Sequence, residues 1–199
     1  CQIPDDADQA AILERVANEV GYPCLIKSPC QGSSIGMAIP KDEAHFKKSL
    51  LDVFMYGDLV MVEKFVKGTE VTCAVLDVED GKSPRALPVI EICPVDSEFF
   101  DYHAKYTPGA CNEIVPARIS AEATKKVQAV AERVHHVIGC SGFSRSDMIL
   151  DGDDPVWIEI NTIPGMTETS LYPQAAAAAG VSFSQMLTLF VEEALGRNS

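Results

Sequence analysis

The chain has 199 residues, and 29 acidic side chains against 16 basic ones give it a formal net charge of −13 at pH 7. Its 47% hydrophobic and 23% charged residues are typical of a globular protein with a buried core, not of a disordered or collagen-like chain. The negative charge argues against binding to nucleic-acid phosphates or to an anionic membrane surface. A phosphate ligand would therefore need a few local cations, backbone amides or a metal.

Seven cysteines are scattered along the sequence without a Cys-x-x-Cys pair. This odd number favours reduced thiols over a disulfide framework or a zinc site, and so predicts a cytoplasmic protein. No apolar run approaches the length of a membrane span. The first residue is Cys1 rather than methionine, which suggests a fragment or a processed product.

The first part of the sequence alternates helical and extended patterns. An acidic start precedes apolar residues at helical spacing, and short apolar runs bounded by Gly and Pro follow. The predicted elements are a helix over 10–20 that ends at Gly21, a strand over 23–27, a Gly- and Ser-rich loop over 28–36, a helix over 42–56, and strands over 59–66 and 71–78.

The second part continues with a strand, a long polar loop over residues 96–116, and further elements without a regular βαβ repeat. The predicted elements are a strand over 88–92, a helix over 121–138, strands over 143–150 and 156–160, and a helix over 182–195. This order predicts an α+β fold with mostly antiparallel sheets and flanking helices, in two lobes formed by residues 1–75 and 76–199.

The most informative stretch is the hairpin predicted from the last two strands. If the hairpin is symmetric about a five-residue loop, three pairs of side chains share one face: Asp147 with Glu159, Arg145 with Asn161, and Ile149 with Trp157. Two opposed carboxylates repel each other unless a cation lies between them. Their oxygens and an amide oxygen suit Mg²⁺, whereas the alternative is a solvated hairpin whose acids face water.

Other segments carry groups suited to a nucleotide. Lys27 ends a strand before the Gly-rich loop, whose backbone N–H groups could cradle phosphate oxygens. Glu63 and Glu70 lie where carboxylates could accept hydrogen bonds from adenine and ribose. The turn at Gly165 could present N–H groups to an oxyanion. Taken one at a time, the Gly-rich loop is better explained as an ordinary turn and each acid as an exposed charge, and the turn at Gly165 can be a loop that leads into the last helix.

These segments occur together and in order, and as a set they closely resemble the D-alanine–D-alanine ligases of the ATP-grasp superfamily. The resemblance covers nearly the whole chain. It rests on Lys27 and on residues 31–36, 63–70, 101–106, 145–147 and 159–167. It implies an ATP-grasp fold with residues 1–75 as the small central lobe, residues 76–199 as the C-terminal catalytic lobe, and ATP between them.

The resemblance also implies a role for individual residues. Lys27 and Lys105 would contact the ATP phosphates, and adenine and ribose would be held by Glu63, Lys64, Phe65, Val66 and Glu70. Two Mg²⁺, with Mn²⁺ as an alternative, would be bound by Asp147, Glu159 and Asn161. The oxyanion would be stabilised by Arg145 and the Gly165 amide, the long loop would be closed over the site by Ser33 and Tyr106, and the carboxylate of the second D-alanine would be bound by Ser170, the Leu171 amide and Arg145.

The implied activity is ATP-dependent ligation of two D-alanines through an acylphosphate, a step of peptidoglycan precursor synthesis. A tyrosine at position 106 goes in this family with an amine nucleophile. Family members carry a further N-terminal domain, so we expect this chain to bind Mg-ATP but to be impaired in ligation alone; a homodimer of the full-length protein is left open. The alternatives are another ATP-grasp carboxylate–amine ligase and a nucleotide-binding module without ligase activity.

Overall fold

The computed structural model describes residues 6–31, 35–77, 84–94 and 111–196. These form two compact units, the first ending at Val66 and the second beginning at Lys67. The boundary therefore lies before the strand Thr69–Asp77 and not after residue 75. The reason is that this strand pairs along its whole length with a strand of the second unit.

The first unit is a two-stranded antiparallel sheet covered by two helices. Its elements are α1 (Asp6–Glu19), β1 (Cys24–Lys27), α2 (Glu43–Phe54) and β2 (Met61–Lys64). The helix α2 begins at Asp42, whose carboxylate accepts a hydrogen bond from the backbone N–H of His45 at 2.8 Å. Apolar side chains of both helices pack with Cys24 and Ile26 on one face of the sheet, which leaves Lys27 and Glu63 on the other.

The second unit contains a six-stranded antiparallel sheet in the order β6-β5-β3-β7-β8, with β4 paired to β3. Its elements are β3 (Thr69–Asp77), β4 (Arg85–Ala86), β5 (Ile90–Pro94), β6 (Cys111–Ile114), α3 (Ala121–Ile138), β7 (Gly142–Asp151), β8 (Asp154–Asn161), α4 (Leu171–Ala178) and α5 (Phe183–Gly196). This architecture confirms the predicted α+β class. The strand β6 was not predicted, because it lies within the stretch interpreted as a loop.

The two faces of this sheet are covered differently. On one face the helix α3, bounded by the caps Ser120 and Gly139, packs against alternate buried residues of β3 and β7. The helix spans the predicted residues 121–138. On the other face α4 is anchored by Tyr172, whose hydroxyl donates to the Val75 carbonyl at 2.9 Å. Because side chains alternate, the candidate site lies on this second face, beside α4.

The hairpin β7–β8 differs from the prediction near its turn. The strands are joined by two residues, Gly152 and Asp153, rather than five, and Gly152 has a positive φ of 64°. A one-residue register shift between Asp147 and Met148 then restores the predicted pairing farther along. The predicted pairing of Ile149 with Trp157 is therefore wrong, since they pair with Val156 and Met148, respectively.

Two sequence predictions about thiols and membranes can be compared with the described residues. The cysteines whose side chains are described are free, as predicted: Cys24, Cys30, Cys73, Cys93 and Cys140. In the same part of the chain, no single helix has the length and apolar character needed to cross a membrane; by length and composition alone, the bent pair α4 and α5, at 103° to each other, could do so together.

Candidate active site

The predicted pairing at the centre of the hairpin is confirmed. Asp147 lies directly opposite Glu159, and Arg145 lies opposite Asn161. Paired residues in an antiparallel ladder project from the same face, with Cβ atoms about 4.5–5.5 Å apart. Four polar side chains, two of them carboxylates, therefore meet on the face of the sheet that α3 leaves uncovered.

Asp147 is the centre of this group. Its carboxylate accepts four hydrogen bonds in the structure: two from the Arg145 guanidinium, at 3.0 and 2.9 Å, one from the Asn161 amide at 3.0 Å and one from the Thr72 hydroxyl at 2.6 Å. The Arg145 and Asp147 side chains are each only 16% exposed. Such charge-assisted, bidentate contacts fix the carboxylate in one orientation.

Thr72 was missed by the sequence analysis. It lies on β3 and pairs directly with Asp147 on β7, and it is 1% exposed. Thr72 lies in a run of buried residues on its strand. The local sequence therefore does not distinguish it from a threonine that only packs in the sheet. Only the pairing of β3 with β7 shows that it contacts the site.

The groups around Arg145 keep its guanidinium positively charged. Burial lowers the pKa of this guanidinium, but the charges of Asp147, Glu159 and Glu113 and the hydrogen bonds to Asp147 outweigh burial and raise the pKa above its ordinary value. Arg145 is therefore permanently charged. Glu113, also missed by the sequence analysis, accepts a hydrogen bond from the side-chain amide of Gln174 in the first turn of α4.

The turn before α4 brings the next two predicted residues together. A Cβ atom added to Gly165 would lie 2.8 Å from the Ser170 hydroxyl oxygen, so only glycine allows this close approach without a shift. Ser170 precedes the first residue of α4 and makes no side-chain cap on it; its hydroxyl instead accepts from the Thr167 backbone N–H at 3.0 Å. The N–H groups of the first turn of α4, beginning at Leu171, thus receive no cap from Ser170.

The residues predicted to bind adenine, ribose and phosphate divide between the units. In the first unit, Lys27 and Glu63 form an ion pair of 2.7 Å, with side chains 19% and 36% exposed. Lys64 ends β2 and is followed by Phe65 and Val66, whereas Glu70 belongs to β3 of the second unit. Ser33, Lys105 and Tyr106 lie outside the described residues.

The hairpin offers oxygen donors to a divalent cation. Within the described ranges no group of three or more His, Cys, Asp or Glu side chains is arranged to hold a metal ion. Asp147, Glu159 and Asn161 offer two carboxylates and an amide instead. Mg²⁺ is commonly held by one or two protein carboxylates, with waters and substrate phosphates completing its oxygen ligands, so this set fits Mg²⁺ bound together with a nucleotide.

Comparison with known proteins adds a family and relatives. Residues 3–192 match the family model described as "D-ala D-ala ligase C-terminus". The chain is 46% identical over 184 residues to the D-alanine–D-alanine ligase of Syntrophobacter fumaroxidans, which is 92% of this chain and 58% of that protein. The chain thus spans little more than half the length of this relative.

Solved structures agree with this match. The VanG D-Ala:D-Ser ligase from Enterococcus faecalis has a TM-score of 0.76 at 39% identity, over 92% of this chain and 52% of that one. The D-alanine–D-alanine ligase from Bacillus anthracis complexed with ATP has a TM-score of 0.72 at 32% identity, over 98% of this chain and 58% of that one. These similarities confirm the predicted ATP-grasp fold.

Proposed function

The chain belongs to the family of D-alanine–D-alanine ligase C-terminal domains, and on that basis we propose that it supplies the nucleotide- and metal-binding part of an ATP-dependent ligation of two D-alanines. The observation that carries this proposal is the placement of Asp147 directly opposite Glu159, with Arg145 bound to the same carboxylate. A reaction that transfers a phosphoryl group needs oxygen ligands for a divalent cation and a permanently charged side chain near them, and this hairpin offers both.

The proposed nucleotide contacts begin in the first unit. Lys27 would bind ATP phosphates, and Glu63 would accept a hydrogen bond from the adenine amino group beside the backbone of Lys64, Phe65 and Val66. Because Lys27 and Glu63 are paired at 2.7 Å, binding exchanges this partly exposed ion pair for contacts with the nucleotide. Glu70 of the second unit would bind ribose hydroxyls, and Lys105 a phosphate.

The proposed metal ligands are Asp147, Glu159 and Asn161. Mg²⁺ bound there would neutralise charge that develops on the transferred phosphoryl group. The side chains themselves hold the oxygens in place: Asn161 already donates its amide N–H to Asp147, which leaves its amide oxygen as the atom available for the cation.

The remaining residues would act on the amino-acid part of the reaction. Arg145 and the Gly165 amide would stabilise an oxyanion, and Ser170 with the backbone N–H of Leu171 would bind the carboxylate of the second D-alanine. Ser33 and Tyr106 would close over the site and exclude water. We further propose that the protein acts in the cytoplasm on peptidoglycan precursors.

The reaction of this family is consistent with these proposed roles. The carboxylate of the first D-alanine attacks the γ-phosphorus of ATP and displaces ADP, which gives an acylphosphate. The amine of the second D-alanine, having lost a proton, then attacks the acyl carbon and displaces phosphate, which forms the peptide bond. Arg145 and the Gly165 amide stabilise the negative oxygen of the tetrahedral species in this second step.

Thermal melting and phosphate release together test the proposal. We expect Mg-ATP to raise the melting temperature of the 199-residue chain more than Mg²⁺ or ATP alone does, because the cation and the nucleotide share ligands. Phosphate release that rises with D-alanine identifies the ligase reaction. D-serine is the matched comparison, because one of the similar structures is a D-Ala:D-Ser ligase.

The outcomes separate the alternatives. Stabilisation by Mg-ATP with no D-alanine-dependent phosphate release indicates that the 199 residues by themselves act as a nucleotide-binding module. Release that requires D-alanine and D-serine together assigns a different second substrate. No stabilisation by Mg-ATP contradicts the proposed nucleotide site.

A further inference from the structure

We propose that Thr72 is a positioning residue of this site: its hydroxyl holds one oxygen of Asp147, so that the other oxygen is presented to the divalent cation. The inference rests on the proposed function, because it concerns how this chain prepares Asp147 for the metal. Thr72 is not among the residues that the sequence analysis assigned to the site. Its contact with Asp147 joins two strands that are remote in the sequence.

The contact has the geometry of a strong hydrogen bond. The Thr72 hydroxyl lies 2.6 Å from Oδ1 of Asp147 and 3.2 Å from the Ser146 carbonyl oxygen. A hydroxyl has one proton to donate, and the shorter distance and the negative charge favour the carboxylate. Thr72 is 1% exposed on a central strand, and its branched side chain is stiff about χ1. This donor is therefore fixed in place.

The other donors divide unequally between the two oxygens. A carboxylate has about four lone-pair sites, and those of Asp147 are filled. Oδ1 accepts from Arg145 Nε and Thr72, whereas Oδ2 accepts from Arg145 Nη2 and Asn161. A cation must displace one of these donors. The long Arg145 side chain is the donor best able to leave Oδ2, whereas the short, buried Thr72 side chain stays beside Oδ1.

The two oxygens of the Asp147 carboxylate would therefore have different roles. Thr72 would keep Oδ1 and with it the orientation of the group, which would leave Oδ2 and Glu159 as the oxygen ligands for the cation. Without the hydroxyl, only Arg145 Nε would still hold Oδ1, so a cation that displaced Arg145 would also have to restrict a carboxylate with fewer fixed donors. Residues that orient a metal ligand in this way typically contribute 10- to 100-fold to metal affinity, so a loss of about this size is expected here.

Three substitutions in the 199-residue chain test this role. Thr72→Val keeps the shape and removes the donor, Thr72→Ser restores the hydroxyl, and Ser146→Ala removes a neighbouring buried hydroxyl that has no hydrogen-bond partner among the described residues. The readout is the affinity for Mn²⁺, measured by electron paramagnetic resonance in the presence of a non-hydrolysable ATP analogue. Thermal melting verifies that each variant is folded, and Thr72→Cys, a weak donor of similar size, replaces Thr72→Val if valine prevents folding.

We expect Thr72→Val to weaken Mn²⁺ binding about 10- to 100-fold, while Thr72→Ser and Ser146→Ala bind like the wild type. Wild-type affinity in a folded Thr72→Val chain would overturn the inference and leave the proposed function standing. An equal loss in Thr72→Val and Ser146→Ala would also overturn it, because the effect would then be one of packing. A wild-type chain that binds no Mn²⁺ with the nucleotide analogue would overturn the proposed function itself.

Discussion

At the scale of single residues, the site is organised by competition for Asp147. The guanidinium of Arg145 spans both oxygens of this carboxylate, at 3.0 and 2.9 Å, and thus occupies positions that a metal ion would use. Two like charges cannot be close to one small carboxylate without mutual repulsion. Metal binding should therefore release Arg145 from Asp147, at least from Oδ2, and free it for the oxyanion proposed above.

Replacing Arg145 by glutamine tests this competition. Because the variant loses the competing positive charge, we expect Arg145→Gln to bind Mn²⁺ at least about threefold more tightly than the wild type in the absence of nucleotide. The control is Arg15→Gln, which removes the same charge from an exposed pair with Glu19. Unchanged or weaker Mn²⁺ binding in Arg145→Gln would show that Arg145 supports the metal ligands instead of competing with the cation.

At the scale of elements, Glu91 links β5 to the turn before α3 through hydrogen bonds with Arg118. Its carboxylate, on a residue 8% exposed, accepts hydrogen bonds from the Arg118 backbone N–H and from two guanidinium nitrogens, at 3.0, 3.0 and 2.8 Å. These contacts, chiefly the side-chain hydrogen bonds from Arg118, lower the pKa of Glu91 to about 2. The same strand pairs with β3, which carries Thr72, so this contact supports the sheet on which the site lies.

The lowered pKa of Glu91 predicts how its contribution to stability depends on pH. A carboxyl whose folded-state pKa lies below its ordinary 4.5 contributes stability above that value and loses it as the pH falls toward about 2. We expect Glu91→Gln to lower the free energy of unfolding by about 1–3 kcal/mol near neutral pH, a range that allows for the exposed guanidinium.

Urea unfolding at about pH 7 and about pH 3 measures this difference. The gap between the wild type and Glu91→Gln should shrink at the lower pH, where the wild-type carboxyl is largely protonated in the unfolded chain but still ionised in the folded one. A gap of the same size at both pH values would mean that Glu91 acts through packing or shape and not through its charge.

For the hairpin, the sequence pattern predicted some of the strand pairings correctly and others not. Alternation and a symmetric turn were enough to predict that Asp147 opposes Glu159, because both residues lie on one short hairpin. They could not reveal that a two-residue turn and a register shift cancel each other, so the pairing nearest the turn was wrong. The strand β6 was missed for a related reason: it is held by pairing with β5, and its own residues show no periodicity.

At the scale of the whole molecule, the site depends on contacts between distant parts of the chain. Thr72 and Asp147 are 75 positions apart in the sequence, and no local pattern links them. The boundary between the two units was placed too late for the same reason, since β3 is assigned to the second unit by its partners. The roles of individual residues came from the family resemblance, because composition and spacing alone left each motif open.

The central claim is that the opposed carboxylates of β7 and β8 bind a divalent cation together with a nucleotide. The most direct test is calorimetric titration of the chain with ATP, with and without Mg²⁺, in the wild type and in Glu159→Gln. We predict binding that requires Mg²⁺ in the wild type and is weakened about 10-fold or more in Glu159→Gln, which keeps the size of the side chain but loses its charge. Equal ATP binding with and without Mg²⁺, or by the two chains, would contradict the account.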